Sequence, residues 1–203
     1  MSAVPELNIA KFLTGDESDK MRIAGKLDDI CREVGFFYLK GHGVSEDQFR
    51  HIYDVSKTFF HLNLDQKRQV AQPTPDIVRG YIGVGEAALG DTMGEETPPD
   101  WKESFSAGPV DVDQAHPFYQ GALVRGHYAV NNWPSQPKNF AHIWVEYYRE
   151  MSRLCSDLMR ISALALGLSE NFFADKIDRH ISILGAMYYP DQIHPPALGQ
   201  LRA

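Results

Sequence analysis

The sequence has few cysteines and lacks a hydrophobic run that could cross a membrane. Cys31 and Cys155 are the only cysteines among 203 residues, and neither belongs to a Cys-x-x-Cys pair, so a disulfide framework is excluded and two reduced thiols in the core are expected. A membrane-spanning helix needs about 20 consecutive apolar residues, whereas the longest candidate, 161–168, is short and contains Ser and Gly. No basic segment followed by an apolar one stands after Met1. These absences favour a cytoplasmic protein with neither a secretory signal nor a membrane segment.

The sequence also lacks an excess of positive charge. It has 20 Lys and Arg against 27 Asp and Glu, a formal net charge of −7. Proteins that bind nucleic acid without regard to its sequence need clustered Lys and Arg, so a nucleic-acid partner is not expected. There is no internal repeat, and 43% of the residues are hydrophobic, which is enough for a packed core.

Hydrophobic periodicity predicts an α+β fold. Apolar residues that recur three and four apart predict three longer helices, over residues 16–34, 45–59 and 140–168. Alternating or continuous apolar residues predict three short strands, over residues 5–9, 36–39 and 182–189. Two stretches rich in Gly and Pro, 72–100 and 108–138, show little periodicity and are predicted to be irregular.

Eight histidines are scattered along the chain without the spacing of metal ligands. No two of them form His-x-His or His-x-x-x-His. Asp191 and His194 are the one close pair of a carboxylate and an imidazole, and they lie in a proline-bounded loop, so we interpret them as loop polarity. His42 lies between two glycines and is interpreted as a turn residue. Neither a nucleophile elbow nor a phosphate-binding loop occurs, so the residues by themselves predict no metal site and no catalytic residue.

Several short motifs nevertheless follow the order of one enzyme family. Gly35-Phe-Phe-Tyr-Leu-Lys-Gly-His-Gly-Val44 resembles the amino-terminal signature of the isopenicillin N synthase-like branch of the non-haem Fe(II)/2-oxoglutarate-dependent dioxygenases. Later segments resemble further landmarks of that family, in its order: Arg79-Gly-Tyr81, Asp100-Trp-Lys-Glu-Ser-Phe105 (its Asp-x-Lys-Glu-x-Phe), Asn132-Trp-Pro134 (its Asn-x-Trp-Pro), and Met187-Tyr-Tyr-Pro190 followed by Pro195-Pro196 and Leu201-Arg202. The resemblance covers residues 4–203.

The resemblance implies a fold. The chain would be the amino-terminal helical and strand region of a double-stranded β-helix (jelly-roll) oxygenase of the α+β class, with most of the barrel missing from it. Residues 1–120 would form the amino-terminal dioxygenase region, and residues 121–203 the long helix and the first, truncated part of the oxygenase domain. The long helix 140–168 is expected to pack on the outside of the barrel.

The resemblance also implies roles for individual residues. Tyr189 matches the tyrosine whose hydroxyl helps to hold 2-oxoglutarate, although an aromatic strand residue packed on the long helix is an open alternative. Met187 stands where many relatives carry an Asn that donates to the same ligand, and Met cannot donate. Arg79 matches a position that binds a substrate carboxylate in the penicillin-forming relatives, with a surface arginine that braces its loop as the alternative, and Tyr81 would line the same pocket. Three residues nearby are interpreted as structural: Lys102, Glu103 and Phe105.

The family binds Fe(II) through two histidines and one carboxylate on one face of the metal. In that family, the first histidine and the carboxylate belong to a His-x-Asp motif, which directly follows a segment like Gly199-Gln-Leu-Arg-Ala203. No His-x-Asp occurs in this sequence, so no residue of the chain is predicted as an iron ligand and none as catalytic. The ligands of Fe(II) are expected beyond Ala203.

The function implied for the full-length protein is that of a monomeric, cytoplasmic oxygenase. It would use dioxygen and 2-oxoglutarate to oxidise a small organic substrate and would release succinate and CO2, while the 203 residues alone would be inactive. Two alternatives stay open: an oxidase of the isopenicillin N synthase type that uses no 2-oxoglutarate, and a catalytically inactive fragment or binding module. Neither the substrate nor the choice between hydroxylation, desaturation and ring closure follows from the sequence.

We expect the natural reading frame to continue past Ala203 and to encode His-x-Asp within a few residues, because the family's metal motif begins where this chain stops. Sequencing the transcript across this junction checks the prediction. A stop codon directly after Ala203 would contradict it.

Overall fold

The structure, a computed structural model, describes residues 4–86, 100–121, 124 and 126–191. The chain forms two compact units, residues 1–49 with 149–180 and residues 50–148 with 181–203. The division into 1–120 and 121–203 that the resemblance implies stays a prediction. No helix among the described residues is long and apolar enough to span a membrane.

The first unit is built on a short parallel strand pair. Strand β1 (Glu6–Asn8) pairs with β2 (Tyr38–Lys40), and the chain between them forms helices α1 (Ala10–Thr14) and α2 (Glu17–Glu33). Helix α2 begins where the Asp16 carboxylate accepts the Asp19 N–H at 3.0 Å and ends before Gly35, whose φ of 80° favours glycine. Helix α2 and both strands agree with the sequence prediction, whereas α1 was not predicted. The expectation that Cys31 and Cys155 lie in the core is wrong: both are exposed, and the buried stripe of α2 runs through Leu27 and Ile30 instead.

The long helix α5 (Phe140–Ala165) contributes its second half to this unit. Its residues Leu154, Leu158 and Ile161 pack on the apolar cluster formed by β1, α1 and α2. The sequence prediction placed this face on the outside of a barrel. That packing stays a prediction; within the described residues, the second half of the helix meets the apolar stripe of α2, which needs a partner surface within the same unit.

The second unit contains helices α3 (Glu46–Phe60, mostly within it) and α4 (Leu64–Arg68) and an antiparallel sheet. The sheet has the order β3-β4-β5, with β3 at Gly80–Ile82, β4 at Glu103–Ala107 and β5 at Leu184–Tyr188. Strand β5 confirms the predicted strand 182–189. Strand β3 lies in the stretch 72–100 that was predicted to be irregular, since three residues are too few for a period of two to stand out. A 3₁₀ turn (Pro117–Gln120) and helix α6 (Ala174–Ile177) complete the described elements.

The sheet has an inner and an outer face. The inner face carries Tyr81, Glu103, Phe105, Ala107 and Tyr188, and packs on α3 and on the first half of α5. Its centre is aromatic, with the Phe105 ring centroid 5.2 Å from that of Phe59 and 5.0 Å from that of Trp144. The outer face carries the alternate residues, which are Ile82, Ser104, Ser106, Gly185 and Met187.

Candidate functional site

Tyr189, the predicted 2-oxoglutarate residue, directly follows the last residue of β5. Its side chain is 51% exposed and lies with Met187 on the outer face, where its hydroxyl donates to Met187 Sδ at 3.6 Å. Tyr188 points the opposite way and stacks on Phe60, with ring centroids 5.5 Å apart. The aromatic residue that packs into the core is therefore Tyr188, which leaves the Tyr189 hydroxyl with only a weak sulfur acceptor in the described part of the chain.

Arg79, the predicted substrate residue, is only 2% exposed. Its guanidinium donates to three backbone carbonyls, those of Val78 (2.7 Å), Ala129 (3.3 Å) and His127. No carboxylate among the described residues forms an ion pair with it, and burial lowers the pKa of the guanidinium. Arg79 thus fastens the segment 127–129 to the start of β3.

The surroundings of Arg79 are shaped for its guanidinium. A Cβ on Gly108 would overlap the guanidinium, so the absence of a side chain there makes room for it. Asn131 fixes Gly108 from the other side, accepting its N–H at 2.8 Å and donating to its carbonyl at 3.1 Å. Asn131, Trp133 and Pro134 also fit the family's Asn-x-Trp-Pro, so the Asn of that motif is Asn131 rather than Asn132. This assignment could have been made by counting the spacing strictly.

Tyr81 belongs to a buried polar network on the inner face. Glu103 Oε2 accepts the Tyr81 hydroxyl at 2.7 Å and Lys67 Nζ at 2.5 Å. Lys67 Nζ also donates to the carbonyl of Phe60 at 3.1 Å and lies 5.3 Å from the centre of the Tyr81 ring. All three side chains are at least nine-tenths buried. The Tyr81 hydroxyl is therefore used within the core, and the place of Tyr81 in the lining of a substrate pocket stays a prediction.

The interpretation of Lys102 and Glu103 as structural residues agrees with their contacts. Lys102 binds Asp100 at 2.5 Å, and Glu103 binds Lys67. Sequence reasoning missed Lys67, which lies on the short helix α4. A lysine among polar residues gives no signal that its side chain will be buried.

The described residues contain no metal site. No group of three or more His, Cys, Asp or Glu side chains within them could hold a metal ion. His42 Nδ1 accepts the N–H of Val44 at 3.1 Å, as expected of a turn residue. His194, the other histidine weighed as a ligand, lies outside the described residues.

The first unit contains a cavity of about 340 Å³ between the second half of α5 and the segment 170–180. Met159, Arg160, Glu170, Phe173 and His180 contribute to its lining. Arg160 is already paired with Asp157 and Glu170. None of the residues predicted from the sequence lines this cavity, so the outer face around Tyr189 is the better candidate site.

Comparison with known proteins gives one consistent result. The model of a family described as "non-haem dioxygenase in morphine synthesis N-terminal" matches residues 4–136. The chain is 33% identical to a homoarginine-6-hydroxylase of Oryza sativa subsp. japonica, over 78% of this chain and 45% of that protein. It is 30% identical to a 2-oxoglutarate-Fe(II) type oxidoreductase of Aspergillus fumigatus, over 93% of this chain and 55% of that protein.

Solved structures agree with the sequence matches. A full-length Neurospora crassa protein in complex with alpha-KG superposes with a TM-score of 0.74 at 28% identity, covering 92% of this chain and 54% of that one. A putative 2OG-Fe(II) oxygenase family protein from Caulobacter crescentus reaches a TM-score of 0.77 at 26% identity, covering 96% of this chain and 59% of that one. The chain spans about half the length of the curated relatives it matches.

The Tyr81 network predicts a specific loss of stability at high pH. Burial, followed by the hydrogen bond to Glu103, raises the pKa of the Tyr81 hydroxyl far above its usual value. The neutral hydroxyl therefore stabilises the fold below about pH 10, the pKa of an unfolded tyrosine, and this contribution is lost as the pH rises further. We expect the difference in free energy of unfolding between wild type and Tyr81→Phe to be constant below about pH 10 and to shrink above it, by up to about 1.4 kcal/mol per pH unit.

Urea unfolding at a series of pH values checks this prediction. Tyr53→Phe is the matched control, because the Tyr53 side chain is 64% exposed. A Tyr81→Phe difference that stays constant up to about pH 11.5 would contradict the assigned role of the hydroxyl.

Proposed function

Because the chain belongs to the Fe(II)/2-oxoglutarate-dependent dioxygenase family, we propose that the protein oxidises a small organic molecule with dioxygen and 2-oxoglutarate and releases succinate and CO2. The observation that supports this most is the likeness, over 92% of the chain, to a solved structure that holds alpha-KG. The proposed monomeric state and cytoplasmic location are predictions from the sequence.

The residues described do not fit Fe(II), since they offer no cluster of three ligating side chains. The proposal therefore assigns no iron ligand to them and derives no step through the metal. What the described chain would contribute is one wall of the site and a donor for the co-substrate.

Tyr189 is the proposed donor. Its exposed hydroxyl donates only to a weak acceptor, Met187 Sδ, 3.6 Å away. A carboxylate oxygen of 2-oxoglutarate would accept a stronger, charge-assisted hydrogen bond from the same hydroxyl. Met187 has no hydrogen-bond donor in its side chain, so Tyr189 would be the one residue of this pair that donates to 2-oxoglutarate. The ladder between β4 and β5 ends one residue earlier, at Tyr188, so strand pairing fixes the backbone that leads into Tyr189.

The substrate is proposed only as a small organic molecule. The relatives' names refer to chemically different compounds: homoarginine for the plant hydroxylases, and thymine for a complex of the Neurospora crassa protein. An oxidase that uses no 2-oxoglutarate and an inactive binding module remain the rival functions.

Tyr189→Phe tests the proposed co-substrate contact in the full-length protein. One lost hydrogen bond to a charged group should raise KM and Kd for 2-oxoglutarate about tenfold, with the KM for the substrate unchanged. The readouts are succinate formation and calorimetric binding of 2-oxoglutarate. Tyr38→Phe, at a tyrosine that is 63% exposed on β2, is the control.

The outcomes separate the rival functions. Substrate oxidation without succinate would support the oxidase, and absence of both 2-oxoglutarate binding and turnover would support the binding module. Equal affinities for 2-oxoglutarate in wild type and Tyr189→Phe would remove Tyr189 from the site.

Arg79 requires its own test, because two roles compete. We expect Arg79→Ala to raise the substrate KM and to leave the 2-oxoglutarate KM unchanged if the guanidinium binds a substrate carboxylate. If Arg79 instead braces the segment 127–129, Arg79→Ala should lower the free energy of unfolding, since three carbonyls lose their donors. The KM values for the substrate and for 2-oxoglutarate should then stay unchanged. Asn131→Ala is the matched control, because it detaches the neighbouring residue 131 from Gly108, beside the same guanidinium, and removes no charge. Equal effects of both variants would assign Arg79 to the brace.

A further inference from the structure

Two serine side chains on the outer face lie close to Tyr189 and have no part in the function proposed so far. Ser104 is paired in register with Met187 on one side and Ile82 on the other. Ser106 is paired with Gly185 and Gly80 in the same way. Since β4 is the central strand, both hydroxyls stand in the middle of the wall that ends at Tyr189.

Neither hydroxyl helps to hold the described fold together. Within the described ranges, neither Ser104 nor Ser106 forms a side-chain hydrogen bond, and both are half-buried. Two serines of helix α5, by contrast, use their hydroxyls: Ser156 donates to the Ser152 carbonyl at 3.0 Å, and Ser162 donates to the Leu158 carbonyl at 2.8 Å. The hydroxyls on β4 are thus available to a ligand.

Serine is also an unusual choice for this place in a sheet. Central strands favour β-branched and aromatic residues, which cover their neighbours well. A small residue leaves space, and a Cβ added to Gly185 would lie 3.7 Å from the Ser106 hydroxyl oxygen, an ordinary van der Waals distance, so there is room for at least one more carbon atom. These small residues, with Ile82 and Met187 paired beside Ser104, define a polar recess on the outer face.

We propose that Ser104 and Ser106 determine substrate specificity by binding polar groups of the substrate on the outer face beside Tyr189. The two hydroxyls stand about 7 Å apart, two residues along one strand. They suit a small molecule with two hydrogen-bonding groups, such as an imide or an amino acid, whose apolar part contacts Ile82 and Met187. This inference rests on the proposed function, because Tyr189 is taken as the anchor of the co-substrate.

Ser104→Ala and Ser106→Ala test the inference in the full-length protein, with thymine and homoarginine as probes. Binding is measured by calorimetry in the presence of 2-oxoglutarate, and the melting temperature is recorded for each variant. Each variant should weaken binding of the preferred probe about three- to tenfold, the effect of one hydrogen bond, and should leave the Kd for 2-oxoglutarate and the melting temperature unchanged. Ser104→Phe, which fills the recess, should abolish probe binding and retain 2-oxoglutarate.

Ser156→Ala is the matched control, since its hydroxyl serves α5 within the first unit. Wild-type affinity for the probe in all three β4 variants would overturn the inference, and so would failure of both probes to bind wild type that binds 2-oxoglutarate. Failure of wild type to bind 2-oxoglutarate would instead contradict the proposed function.

Discussion

The second unit depends on one buried charge, the carboxylate of Glu103. A carboxylate removed from water is tolerated only when it is paired and hydrogen-bonded. Glu103 accepts hydrogen bonds from both Lys67 Nζ and the Tyr81 hydroxyl. Lys67 binds the Phe60 carbonyl as well, so the end of α3, helix α4 and strands β3 and β4 meet at this pair. Removal of either charge would leave the other buried without a partner, at a cost of about 3–5 kcal/mol.

This pair also fixes which side of the sheet carries the candidate site. Side chains alternate along a strand, so a slip of one residue would send every side chain to the other face. With Glu103 held inside, Ser104 must face outward, and the register then places Tyr188 inside and Met187 outside. Tyr189 follows on the outer face. The exposure of a candidate co-substrate residue is thus a consequence of an ion pair on the opposite side of the sheet.

Helices α2, α3 and α5 and the strands β1, β2 and β5 could be predicted from the sequence because their apolar residues repeat over many positions or form dense runs. The short helices α1, α4 and α6 and strand β3 could not, since elements of three to five residues are too short to establish a period on their own. Burial of Lys67 and Arg79 depends on partners far away in sequence, Glu103 in one case and the carbonyls of 127–129 in the other. The local sequence does not indicate such distant partners, so the contacts of Lys67 and Arg79 could be identified only from the structure.

The motifs that revealed the family mark its scaffold more than its chemistry. In Asp100-Trp-Lys-Glu-Ser-Phe105, the Asp pairs with the Lys, the Glu binds Lys67, and the Phe fills the aromatic centre. Arg79 and Tyr81 likewise form hydrogen bonds within the protein. The position that the family pattern leaves open, between the Glu and the Phe, is Ser104, and it is the one that faces outward beside Met187. A scaffold that is specified by its inner face leaves its outer face free to vary, so resemblance identifies the class of reaction readily, whereas the substrate must be derived from outward-facing residues such as Ser104 and Ser106.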